Sequence, residues 1–179
     1  VYGRYGAIGV RVAAPVNGAI GGGMGIMYKQ NRPIVVLGAG DPQLEEALKV
    51  VASEHPDAID VVIGFDEVFA HLIQAAADIL LMPSQYEPCG LAQLYAFRYG
   101  TIPVVRATGG LVDTVVDVND QTRADGTASG FVFQDFQSAS LEEAVQRALA
   151  AHGNKTLWQD LVYRVMQQDW SWEVSAQQY

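Results

Sequence analysis

Asp78-Ile-Leu-Leu-Met82, then Pro83-Ser-Gln-Tyr-Glu87-Pro-Cys89-Gly90, then Leu91 through Tyr99, then Thr101-Ile-Pro-Val-Val105: this stretch decides the architecture. A short apolar run closed by Pro83-Ser84 reads as a strand buried on both faces. A helix is expected from about Gly90 to Tyr99, and a second buried strand begins two residues after it. Strand, turn, helix and strand joined by short connections form the βαβ unit of a parallel sheet.

The same alternation extends outward. Upstream, Pro33-Ile-Val-Val-Leu37 is a buried strand ended by Gly38-Ala-Gly40. Asp41-Pro42 then opens a helix, with Asp41 as N-cap and proline in the first turn. Leu44, Leu48 and Val51 give that helix an apolar stripe. Ile59-Asp-Val-Val-Ile63 is the next strand, and Val68, Phe69, Leu72, Ile73 and Ala76 mark the next helix. Downstream, a helix is expected from about Gly110, a short strand at Gly130-Phe-Val-Phe133, and helices at about 140–151 and 155–168. The pattern predicts an α/β fold: a Rossmann-like parallel sheet with right-handed crossovers and helices on both faces. Ligands bind such sheets beyond the carboxyl ends of the strands, here the loops after Leu37, Ile63, Met82 and Val105. Residues 1–32 stand apart. Glycine at positions 3, 6, 9, 18, 21, 22, 23 and 25 opposes regular helix. They are expected to be a divergent Gly-rich segment of loops with a strand or two, so the Rossmann-like domain is drawn over 33–179.

Composition narrows the function. Of 179 residues, 50% are hydrophobic and 17% charged, a globular profile for one α/β domain. A net charge of -9 repels phosphate backbones and argues against nucleic acid as a partner. An anionic ligand would have to be met locally, by helix N-termini or by single residues such as Arg98 and Arg106. Cys89 is the one cysteine, which suits a reducing compartment. No apolar run approaches membrane-spanning length, so no membrane partner is expected. The opening Val1-Tyr2-Gly3-Arg4 is not a signal peptide and lacks an initiator methionine, which suggests a fragment.

Three loops could carry chemistry. Glu87 would stand in the crevice at the carboxyl end of a buried strand. Gly90 allows close approach of a ligand to the backbone. The N–H groups of Gly90 and Leu91 would point outward at the positive end of a helix, where a phosphate or sugar hydroxyl can bind. The alternative is a helix cap, for which Ser, Pro, Glu and Gly also serve. Thr108-Gly109-Gly110 again follows a strand and opens a helix, and paired glycines can present N–H groups to an anion. A tight turn needs glycine anyway. Phe65, after the strand ending at Ile63, is either an aromatic platform for a base or a core residue. His55, His71 and His152 are scattered singly and read as surface or capping residues, not metal ligands. No Walker loop and no Gly-x-Gly-x-x-Gly occurs.

Glu87-Pro-Cys-Gly-Leu-Ala-Gln-Leu-Tyr95, Arg98-Tyr-Gly-Thr-Ile-Pro-Val-Val-Arg106 and Thr108-Gly-Gly-Leu-Val-Asp-Thr114 together resemble the bacterial glycogen synthases and plant starch synthases. Leu37-Gly-Ala-Gly-Asp41, Gly64-Phe65-Asp66-Glu67 and Trp170-Ser-Trp-Glu173 stand in that family's order, so the resemblance covers about 34–179. It implies one half of a two-domain GT-B-type glycosyltransferase, the half that binds ADP-glucose. The glucan acceptor belongs to the other domain, absent from this sequence. By resemblance, Glu87 is the carboxylate at the donor glucose, and Cys89 and Gly90 form the turn that touches the sugar. The Leu91 N–H faces the distal phosphate, Phe65 stacks on adenine, and Thr108, Gly109 and Gly110 line the cleft. No cofactor is implied beyond the donor substrate. The compartment would be the cytoplasm of a bacterium, or a plastid.

The family also carries Arg-Leu-x-x-Gln-Lys-Gly, whose Arg and Lys neutralise the diphosphate. Arg11 stands at about that distance before Gly38, but no lysine precedes Lys29, so the pair is not carried over. Ala92 replaces a usual Thr. Tyr95, eight positions after Glu87, follows the synthase pattern where many UDP- or GDP-sugar relatives have a second glutamate. A related enzyme using those sugars, or a non-catalytic binding module, is the alternative.

Overall fold

The computed structural model describes residues 12–15 and 34–176. Among them, six strands make one sheet: β1 (Val12–Pro15), β2 (Ile34–Gly38), β3 (Ile59–Ile63), β4 (Ile79–Met82), β5 (Ile102–Arg106) and β6 (Phe131–Phe133). The spatial order is β3-β2-β1-β4-β5-β6, and every neighbouring pair runs parallel. The helices are α1 (Pro42–Glu54), α2 (Glu67–Ala76), α3 (Ala92–Tyr99), α4 (Leu111–Thr114), α5 (Asp120–Ala124), α6 (Ser138–Gly153), α7 (Lys155–Gln167) and α8 (Trp172–Ala176).

Burial explains why the apolar runs became central strands. All four residues of β4 are buried, as are Ile102 to Val105 of β5. Successive side chains of a strand point to opposite faces, so both faces of β4 and β5 are covered. Helices α3, α6 and α7 all pack on β5. The outer strand β3 has one fully buried residue, Ile59. The turns follow the local chemistry. Asp41 Oδ1 accepts from the N–H groups of Gln43 (2.8 Å) and Leu44 (3.2 Å) and caps α1. Asp66 caps α2 through the Phe69 N–H at 2.9 Å. Gly100, at φ 76°, ends α3 in the left-handed conformation that glycine adopts without strain.

Two expectations gain detail. The segment 1–32 supplies one of the strands expected of it: β1 pairs with both β2 and β4 and lies in the interior of the sheet. Four residues, two of them alanine and the last a proline, are too few to print an apolar period on the sequence. The remainder of residues 1–33, with Arg4, Arg11 and Lys29, lies outside the described residues. The helix expected from Gly110 is a single turn, because Val115 returns to extended backbone.

Strand order reverses between β1 and β4. The chain moves from β1 outward through β2 to β3, then crosses back to β4 on the other side. Crevices at such a switch point are where doubly wound sheets bind ligands. The loop leaving β4 there carries Glu87.

Candidate active site

Chain geometry brings the two candidate corners into contact. The first is the β4–α3 loop, Pro83 to Leu91. The second is the β5–α4 turn, Ala107 to Gly110. The Gly110 N–H donates to the Glu87 carbonyl at 3.1 Å. A Cβ at Gly109 would collide with the Glu87 carbonyl, and one at Gly110 with the Cys89 carbonyl. Gly109 also has φ 49°. Both glycines are therefore dictated by the packing of one loop on the other. One consequence modifies the sequence reading: the Gly110 N–H is engaged by Glu87 and is not offered to an anion. Thr108 is half-buried, and its carbonyl accepts from the Leu111 N–H at 3.2 Å.

Glu87 is half-buried. Its Oε2 lies 3.5 Å from Oγ of Ser84, at the long limit of a hydrogen bond. Ser84 is buried, with 1% of its surface exposed. Among the described residues no Lys, Arg or His forms an ion pair with Glu87. Cys89 and Leu91 are exposed, and Gly90 is buried at φ 67°. The N-cap of α3 is Leu91, and among the described residues no side chain caps that helix end. Capping by Ser84 or Glu87 is thus not what the loop does, and the positive end of α3 faces the corner without a capping side chain.

Gly90 departs from expectation in one respect. The space a Cβ would take is filled by the Gln93 amide, whose Oε1 would lie 2.6 Å away. Close approach here serves a side chain of the domain's own. Gln93 is fully buried in the first turn of α3. Its Nε2 donates to the Gly90 carbonyl (2.6 Å) and to Thr114 Oγ1 (3.0 Å). Gln93 and Thr114 stand in the quoted motifs but were given no role by the sequence, since a Gln in one helix and a Thr at the end of another carry no local signal of their contact.

The two arginines proposed as anion donors do other work. Arg106 donates from Nη1 to the carbonyls of Gln85 (2.6 Å) and Ser84 (3.3 Å), and from Nε to that of Gln134 (3.1 Å). Its guanidinium also lies over the Phe136 ring, 5.4 Å from the centroid. It braces the Glu87 loop from behind. Arg98 is in the last turn of α3, at the opposite end of the helix from the corner. There it adds to the lowering of the Asp169 pKa, whose chief cause is a hydrogen bond from the Ser171 N–H.

Phe65 is 93% exposed, which excludes the core reading. It follows β3 at the carboxyl edge of the sheet, two strands from β1, hence about 10 Å to the side of the switch point. Tyr95 packs against His71, centroids 5.1 Å apart, and His71 Nδ1 lies 3.2 Å from the Tyr99 hydroxyl. His55 closes α1 through its backbone N–H. His152 lies beside Asp78 and Trp158. Among the described residues no three His, Cys, Asp or Glu side chains are grouped to hold a metal ion. No helix among them is long and apolar enough to cross a membrane.

The family model described as glycosyl transferases group 1 matches residues 26–158. The chain belongs to this family. The group 1 domain is 49% identical to a glycogen synthase from Edwardsiella ictaluri over 146 residues, 82% of this chain and 31% of that protein. Its fold matches the catalytic domain of starch synthase IV from Arabidopsis thaliana, solved bound to ADP and acarbose. That match has a TM-score of 0.82 and 31% identity, and covers 96% of this chain and 37% of the other. A sucrose-phosphate synthase from Thermosynechococcus elongatus shares the fold at TM-score 0.63 and 23% identity, over 94% of this chain and 43% of that one. The chain thus spans about a third of the length of the glycogen synthase and starch synthase it matches, and is one parallel-sheet half of a GT-B architecture.

Proposed function

We propose that this domain binds the donor of a retaining glucosyltransferase that moves glucose from ADP-glucose to the non-reducing end of an α-1,4-glucan. The observation that carries the reading is the hydrogen bond from Gly110 N–H to the Glu87 carbonyl. It joins the acid-bearing corner and the glycine corner into one wall beside the switch point. The likeness to a glycogen synthase and to an ADP-bound starch synthase supports the choice of sugar and base.

In this reading each group answers one need of the reaction. Departure of ADP puts negative charge on the diphosphate, which the uncapped end of α3 stabilises through the N–H groups of Gly90 and Leu91. The sugar becomes oxocarbenium-like, and the Glu87 carboxylate supports its positive charge. Cys89 and Gly90 border the sugar, Thr108 and Gly109 line the cleft, and Gly110 holds the loop. Phe65 stacks on adenine. The reading invokes no metal ion. The glucan is held by a second domain, and the setting is a reducing compartment, bacterial cytoplasm or plastid.

Calorimetric titration of the chain with ADP, UDP, GDP and ADP-glucose tests this. Preference for ADP and ADP-glucose, without glucan elongation by the chain alone, is expected. Preference for UDP or GDP would replace the donor, and absence of binding to any of them would leave a non-catalytic module.

A further inference from the structure

Four hydrogen bonds close a ring between the two corners. Gly110 N–H donates to the Glu87 carbonyl at 3.1 Å. Thr114 Oγ1 donates to the Gly110 carbonyl at 2.8 Å. Gln93 Nε2 donates to Thr114 Oγ1 at 3.0 Å and to the Gly90 carbonyl at 2.6 Å. The loop from Glu87 to Gly90 completes the circuit.

The chemistry of the partners fixes the direction of every bond. The Gly90 carbonyl can only accept, so the Gln93 amide nitrogen must face it. The Thr114 hydroxyl has one proton, spent on Gly110, so toward Gln93 it accepts. The Gln93 amide nitrogen donates to both corners at once, to the Gly90 carbonyl and to Thr114 Oγ1. This orientation has a cost: Gln93 Oε1 is buried with no hydrogen-bond partner among the described residues. A buried orphan acceptor is destabilising, and an apolar side chain of equal shape would avoid it. The amide is therefore explained by its two donors and not by packing.

We propose that Gln93, with Thr114, is a positioning residue of the donor site: it sets the separation between the Glu87 corner and the Gly109–Gly110 corner. The proposal rests on the donor-binding reading above. Glu87 is then aimed from two sides. Arg106 holds the start of its loop at Ser84 and Gln85, and Gln93 holds the end at Gly90. Gln93 touches no substrate in this arrangement; it acts through backbone carbonyls of residues that do.

The test uses the full chain and two readouts, amide exchange by NMR and ADP-glucose affinity by calorimetry. In Gln93→Met the Gly110 amide is expected to exchange about tenfold faster while β4 and β5 amides keep their protection, because only a local opening is released. Affinity for ADP-glucose is expected to fall at least about tenfold, as a displaced donor group loses its alignment. Thr114→Val should reproduce both effects and Thr114→Ser should restore both, which keeps the test decisive if Gln93→Met does not fold. Unchanged Gly110 exchange and unchanged affinity in Gln93→Met and Thr114→Val would overturn the proposal. So would faster exchange spread evenly over β4 and β5, the mark of a merely structural role. If the unaltered chain fails to bind ADP-glucose, the donor reading falls and takes the assigned role with it; if it binds and the variants bind equally, the positioning role alone falls.

Discussion

Glu87 combines two functions in one residue that mutation can separate. Its backbone carbonyl holds Gly110, while its carboxylate, among the described residues, meets only Ser84, at 3.5 Å. Replacing the side chain leaves the first intact. In a complete two-domain synthase carrying this sequence, Glu87→Gln should lower kcat by about two to three orders of magnitude, the usual loss when one preorganised charge-stabilising group is removed. The urea midpoint should stay where it was; retained kcat would remove Glu87 from the chemistry. Phe65 admits a cleaner experiment, since 93% exposure means its ring contributes little to the fold. Phe65→Ala should leave Tm unchanged and weaken ADP binding by about 1–3 kcal/mol, the value of one base–aromatic stack. Both residues were legible in the sequence as a carboxylate and an aromatic ring at strand ends. Gln93, Thr114 and the bracing role of Arg106 were not. Their partners lie 21 or more residues away, except for the Gln93–Gly90 and Thr114–Gly110 bonds, and distance along the chain erases the signal.

At the scale of elements, β4 and β5 were readable because both of their faces are buried, which leaves an unbroken apolar run. The capped start of α1 was readable because Asp41 makes its bonds two and three residues ahead. β1 was expected only as one of a strand or two in a Gly-rich segment, without a position, and the helix from about Gly110 was expected without an end, because a glycine pair marks a helix start without stating its length. The paired glycines themselves answer to a contact between loops. Gly109→Ala places a methyl group on the Glu87 carbonyl and strains a φ of 49°. It should cost about 2–4 kcal/mol as overpacking and backbone strain add. For a chain of this size that is a fall in Tm of about 4–16 °C, read by calorimetry. A Tm shift below about 2 °C would mean the two loops are not in contact as described.

Across the whole molecule, strand order alone places the β4 loop at the reversal between β1 and β4. Two carboxyl-edge loops then meet there, and a helix end without a capping side chain points into the same corner. An acidic chain of net charge -9 can hold a diphosphate only if such local donors outweigh the long-range field. Binding should therefore be focused on one small region of the surface. Titrating the isotopically labelled chain with ADP-glucose, and following every backbone amide by NMR, locates that region directly. The largest shifts should fall together on Gly90, Leu91 and Gly109, with a smaller set at Phe65. Shifts confined to the opposite edge of the sheet, around Asn119, Arg123 and Asn154, would contradict the shared wall of Glu87 and the twin glycines.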